Sequence, residues 1–106
     1  HQVTVTKGKR AIAVLGDMLE LGHVAVAAHR KVGRQAAEAG ASCVITLGEM
    51  GREIAAGAKE AGLKQVYTCD THQQAADRLK ALLKPGDTVL FKGSRGMAME
   101  KIIDLI

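Results

Sequence analysis

Tryptophan is absent from this 106-residue sequence, and Tyr67 and Phe91 are its only aromatic residues. A platform that stacks the bases of single-stranded RNA or DNA needs more aromatic faces than this. Runs of one charge are missing as well. The net charge of +4 is spread evenly: residues 1–53 hold seven basic and five acidic side chains, and residues 54–106 hold eight and six. There is no basic arm to track a phosphate backbone, so nucleic acid is not an expected partner. No apolar run approaches the ~20 residues that span a bilayer. His1 to Arg10 have no apolar core of the signal-peptide kind. The expectation is a soluble, cytoplasmic domain with no membrane insertion. Its length fits one domain, 1–106, with a core that needs no staples.

Cysteine is scarce too. Cys43 and Cys69 form no C-x-x-C and sit in or beside β-branched apolar segments, where a small buried hydrophobe is the expected role. Several catalytic signatures are missing. The chain has no G-x-x-x-x-G-K-[ST] phosphate loop, no G-x-G-x-x-G fingerprint and no G-x-S-x-G elbow. Its histidines, His1, His23, His29 and His72, have neither i,i+4 pairing nor zinc-type cysteine spacing, so no metal site is expected. His29, beside the apolar stripe of a helix, reads as a packed or surface histidine rather than a ligand. A self-sufficient enzyme is hard to assemble from the remainder, and no catalytic residue is assigned.

What is present is an alternation of short apolar runs with long 3.6-period segments. Ala11-Ile12-Ala13-Val14-Leu15, closed by Gly16, reads as a fully buried parallel strand. Val24 to Ala39 predicts a helix with a stripe of Ala25, Ala28, Val32, Ala36 and Ala39, stopped by Gly40. Cys43 to Leu47 is a second strand. Glu49 to Ala61 predicts a second helix, apolar on Met50, Ile54, Ala58 and Ala61. Gln65 to Thr68 is a short third strand, and Thr71-His72-Gln73-Gln74 has the form of a capping box for a third helix, ended by Lys84-Pro85-Gly86. Asp87 to Phe91 is the fourth strand, and a last helix is expected to bury Met99, Ile102, Ile103 and Ile106. Val3-Thr4-Val5-Thr6 reads either as an edge strand or as part of a linker over 1–9. The order βαβαβαβα predicts an α/β fold: a three-layer, Rossmann-like domain on a mainly parallel sheet, with strand order 3-2-1-4.

Ligands of open α/β sheets bind beyond the carboxyl ends of the strands, where the order reverses. Here that point lies between the first and fourth strands, and the two most unusual loops follow them. Gly16-Asp17-Met18-Leu19-Glu20-Leu21-Gly22-His23 is long for a strand-to-helix connection and carries two carboxylates. Asp17 either hydrogen-bonds loop amides or stands near a cation, a ligand amine or a nucleotide. Lys92-Gly93-Ser94-Arg95-Gly96 offers two fixed positive charges and a hydroxyl, and it is expected to feed directly into the last helix, whose free amides and dipole add positive potential. Phosphate or carboxylate binding is the natural inference. Ser94 also suits a helix N-cap. The glycines of this second loop let backbone approach a ligand.

These residues resemble one family. Arg10-Ala11-Ile12-Ala13-Val14-Leu15-Gly16-Asp17-Met18-Leu19-Glu20-Leu21-Gly22, then His29, Val32 and Gly33, then Val89-Leu90-Phe91-Lys92-Gly93-Ser94-Arg95 with Met99-Glu100, are similar to the C-terminal domain of Mur ligases of the D-alanyl-D-alanine-adding (MurF) type. The resemblance runs from about Lys9 to Ile106, and "GDMLELG" with "KGSR" in that order is specific. It implies the third domain of a three-domain ATP-dependent ligase of peptidoglycan precursor synthesis. In such an enzyme a central domain holds ATP and Mg2+ and makes an acyl phosphate, which the amine of D-alanyl-D-alanine attacks. It implies substrate-binding roles for Lys92, Ser94, Arg95 and Asp17, and cofactor-binding roles for Gly16 and Gly93. Family members place a Tyr-Asn-Ala-Asn-Pro-like segment and one or two strands before the position of Arg10, and these are not found here.

Two other readings remain. A receiver-type phosphoacceptor domain would use Asp17, Asp70 and Lys92 in broadly similar places, but needs five strands in order 2-1-3-4-5 and more acid after the first strand. A non-catalytic ligand-binding or assembly domain is the other. Strand order separates the first from the ligase reading.

Overall fold

The computed structural model describes residues 10–18 and 22–106. The Val3–Thr6 segment and Glu20 lie outside them. The four apolar runs form one all-parallel sheet in the order β3-β2-β1-β4, with β1 at Ala11–Gly16, β2 at Cys43–Leu47, β3 at Val66–Cys69 and β4 at Thr88–Lys92. Ala13 pairs with Val44 on one side and with Leu90 on the other, which makes β1 an inner strand, as β2 is. This is the order expected of a ligase-type domain, and it departs from that of a receiver.

A strand covered on both faces needs no polar residue, and every residue of β1 and β2 is buried. Successive side chains point to opposite layers. Ile12, Val14, Cys43 and Ile45 pack with Ala75, Ala76, Leu79, Met99 and Ile102, under α3 (His72–Leu82) and α4 (Glu100–Leu105). Ala13, Leu15 and Val44 pack with Ala36, Ile54 and Ala58, under α1 (Ala25–Glu38) and α2 (Gly51–Glu60). Large side chains fill the first layer, and small ones let the second approach.

The α1 stripe differs from expectation. Ala39 is exposed, and the buried positions are His29, Gly33 and Ala36. The reason is a close crossing with α2. A Cβ on Gly33 would overlap the Ile54 carbonyl, and one on Gly57 would overlap the Arg30 carbonyl. The glycines thus bring helix close to helix. At α4 the expected stripe is half right. Met99 and Ile102 are buried, but Ile103 is 51% and Ile106 46% exposed.

At the amino ends of the strands Arg10 ties down the α3–β4 turn. Its Nε donates to Asp87 Oδ1 at 3.1 Å and its Nη2 to the Leu82 carbonyl at 2.6 Å. The paired guanidinium is the chief reason the Asp87 carboxyl is held below its ordinary range.

Candidate functional site

β1 and β4 are adjacent and parallel, so their following loops emerge side by side at the carboxyl edge of the sheet. The Ser94 amide donates to the Asp17 carbonyl at 3.0 Å and closes the gap between them. Met99 folds under this junction. A Cβ on Gly16 would lie 2.6 Å from its Sδ, and one on Gly93 would lie 3.0 Å from its Cγ. Gly93 is exposed, so its backbone is open to a ligand. Gly16 is buried, and its missing side chain makes room for the Met99 thioether.

The Asp17 side chain serves loop amides. Its Oδ2 accepts from the Glu49 N–H and its Oδ1 from the Met50 N–H, both at 3.0 Å. These amides immediately precede α2, so the carboxylate also meets the positive end of that helix. The residue is 7% exposed. One side chain on the β1 loop thereby holds the β2 loop. No coupling of these loops was legible in the sequence, where residues 17 and 49 are far apart.

His29 was expected to be packed or on the helix surface, and it is fully buried. Its Nε2 accepts the Met18 N–H at 2.9 Å. An amide can only donate, so Nδ1 carries the ring proton and donates to the Ala25 carbonyl at 2.6 Å. His29 is therefore the inner support of the β1 loop.

Lys92, Gly93, Ser94 and Arg95 line an open groove of about 320 Å³ with Phe91, Met99, Glu100 and Ile103. Lys92 is half-buried and Arg95 exposed. Among the described residues neither has an ion-pair partner. The groove therefore offers two cations beside one carboxylate, Glu100, and a short apolar wall.

The loop does not run straight into a helix. A 3-10 turn at Arg95–Met97 and a left-handed Ala98 (φ 47°) intervene before α4. The turn uses its own amides: Met97 donates to the Ser94 carbonyl at 2.9 Å and Ala98 to the Arg95 carbonyl at 3.0 Å. The positive potential here comes from side chains, and the helix-dipole contribution expected from sequence falls away. Ser94 occupies the cap position of the turn without a side-chain capping bond.

Among the described residues no cluster of three or more His, Cys, Asp or Glu is placed to hold a metal ion, and no helix is long and apolar enough to cross a membrane. Asp70, the phosphoacceptor position of the receiver reading, follows β3 at the far side of the sheet from β4, and its amide is bonded to Gln74 Oε1 at 2.8 Å.

A parallel sheet of order 3-2-1-4 covered by helices, with a cationic groove at its switch point, defines a Rossmann-like α/β domain. The chain belongs to the Mur ligase family: the family model described as "Mur ligase, glutamate ligase domain" matches residues 2–95. A UDP-N-acetylmuramoyl-tripeptide--D-alanyl-D-alanine ligase of Mycobacterium tuberculosis is 34% identical over 122 residues, covering 100% of this chain and 23% of its own. The Bacillus subtilis ligase of the same name is 38% identical over 101 residues, covering 93% of this chain and 22% of its own. The crystal structure of MurF from Acinetobacter baumannii superposes with a TM-score of 0.79 at 29% identity, over 91% of this chain and 22% of that one. The MurF ligase of Thermotoga maritima in complex with ADP gives a TM-score of 0.69 at 26% identity, over 92% of this chain and 21% of that one. The chain thus spans under a quarter of the length of these relatives.

Proposed function

We propose that this chain works as the C-terminal domain of a cytoplasmic, ATP-dependent ligase that joins D-alanyl-D-alanine to UDP-N-acetylmuramoyl-tripeptide in peptidoglycan precursor synthesis. The observation that carries the reading is the groove at Lys92–Arg95, in a chain whose relatives of that name align over nearly its whole length. In such a ligase the tripeptide carboxylate takes the γ-phosphoryl group of ATP. The dipeptide amine then attacks the acyl phosphate, and phosphate leaves.

In this reading the side chains here bind and orient. Arg95 takes the dipeptide carboxylate, because a guanidinium can meet both oxygens at once. Lys92 and Ser94 face the same carboxylate and the nucleotide side of the cleft, and the exposed Gly93 backbone adjoins the nucleotide. Asp17 acts at the cleft chiefly by holding the loops together, its oxygens being engaged by the Glu49 and Met50 amides. The buried Gly16 keeps that junction close. The donors here do not fit Mg2+: Asp17 is committed, and no cluster of carboxylates accompanies it among the described residues. The metal and most of the ATP site belong, in this proposal, to the central domain of the same protein, with which this domain closes.

The test is reconstitution. The full-length protein should couple ATP hydrolysis to joining of D-alanyl-D-alanine and UDP-N-acetylmuramoyl-tripeptide. The 106-residue chain alone, having no phosphate loop, should do neither. Turnover by the isolated chain, or none by the full-length protein, overturns the reading.

A further inference from the structure

We propose that His72 is a positioning residue for the Lys92–Arg95 loop, acting through the Met97 carbonyl. The inference rests on the function proposed above and adds a residue to its machinery. His72 opens α3, on the far side of the sheet's centre from the β1 loop, and its half-buried ring places Nε2 2.7 Å from the Met97 oxygen. A carbonyl can only accept, so Nε2 carries the proton of this bond.

Three features make this contact more than a surface link. First, α3 starts from a firmly held turn: Thr71 Oγ1 accepts the Gln74 amide at 3.1 Å, and Gln74 Oε1 accepts the Asp70 amide at 2.8 Å. The ring therefore projects from a rigid base. Second, Met97 precedes Ala98, the one non-glycine residue with positive φ among the described residues. A side chain with a Cβ disfavours that conformation, so its neighbours must hold it. Third, the ties of the loop to β1 lie elsewhere, among them the Ser94 amide on the Asp17 carbonyl and Met99 against Gly16 and Gly93. His72 ties α3 to the Met97 carbonyl by a hydrogen bond, and through it bears on the angle at which Arg95 leaves the turn.

The test uses the full-length protein with His72→Leu, which removes the donor, and His72→Gln, whose amide nitrogen reaches about as far as Nε2. Michaelis constants for D-alanyl-D-alanine and for the UDP-linked tripeptide are measured beside hydrogen exchange at Met97 and Ala98. With His72→Leu the dipeptide constant should rise about fivefold, the loss of one ordinary hydrogen bond, while the constant for the tripeptide substrate stays put. Exchange at both amides should quicken, and His72→Gln should restore both properties. Unchanged exchange and an unchanged dipeptide constant in both variants overturn the proposal. A parallel rise in both constants overturns it too, since that marks general loosening. If the parent protein does not use the dipeptide, the functional reading fails, and the exchange data alone still decide whether His72 holds the loop.

Discussion

The Ser94 amide lies 3.0 Å from the Asp17 carbonyl and donates to it across the switch point of the sheet. This bond joins the loop that carries the cations to the loop that anchors β2 and α2. On the proposed function, binding falls to the cations and stability to the anchored carboxylate, and substitutions should separate them.

Arg95→Ala should weaken use of D-alanyl-D-alanine by about 1.5 to 3 kcal/mol, the range for a hydrogen bond to a charged group. Stability should move by less than about 0.5 kcal/mol, because the exposed arginine packs on little. Val14→Ala should do the opposite, costing roughly 1 to 3 kcal/mol of stability by emptying part of a fully buried site. Steady-state kinetics with saturating ATP, set beside urea melts, measure both. An Arg95→Ala protein that unfolds but keeps its dipeptide Michaelis constant would make Arg95 structural.

Asp17→Ala should leave the Glu49 and Met50 amides without their acceptor and cost about 2 to 4 kcal/mol. Asp17→Asn keeps one oxygen but turns an NH2 toward an amide, so it should recover only part of the loss. Urea unfolding of the chain reads the difference. Equal stability for Asp17→Ala and the parent would show that these bonds contribute nothing net.

Gly57→Ala places a methyl group where α2 meets the Arg30 carbonyl. Helix propensity alone favours alanine by about 1 kcal/mol. Backbone overlap cannot be relieved by a rotamer change, so a net loss of about 1 to 3 kcal/mol is expected. A rise in thermal midpoint would mean the helices can separate freely.

Acid should loosen the Arg10–Asp87 tie. The Asp87 carboxyl titrates below its ordinary value of 3.8, chiefly because Arg10 donates to it. A carboxyl with a lowered folded pKa favours folding above its unfolded value. That contribution fades as pH falls from about 4 through the folded value. Asp87→Asn should therefore show a smaller loss of stability between about pH 5 and about pH 2 than the parent, as followed by unfolding curves at each pH. Parallel acid limbs for the two proteins would remove Asp87 from the account.

Both thiols should be inert in the folded protein. Burial pushes Cys43 up to about 11 and also raises Cys69. Two thiols should titrate with an aromatic disulfide reagent after unfolding without reductant, and almost none before it. The register leaves them unpaired: Cys69 lies beside Leu47, four positions along β2 from Cys43.

Strand and helix order were legible in the sequence because apolar runs and 3.6-period stripes are local, and so was the switch point, because right-handed parallel connections leave few alternatives. The cationic loop was legible for the same reason: charge and glycine cluster within five consecutive residues. Even the first turn of α3 was nearly so, with Thr71 as cap, although Gln74 reaches the Asp70 amide, one residue before the place a capping box requires. The place of His29 beside an apolar stripe marked it as packed or surface, without deciding between them. Only the tertiary structure decided what these residues touch. It committed Asp17 to the β2 loop, set Gly33 and Gly57 at a helix crossing, put Met99 beneath Gly16 and Gly93, and brought His72 to Met97. Each of these is a contact between segments distant in sequence, and such contacts leave no period in the chain. Their partners are fixed by how the layers pack, where a methyl group or one amide direction decides the fit.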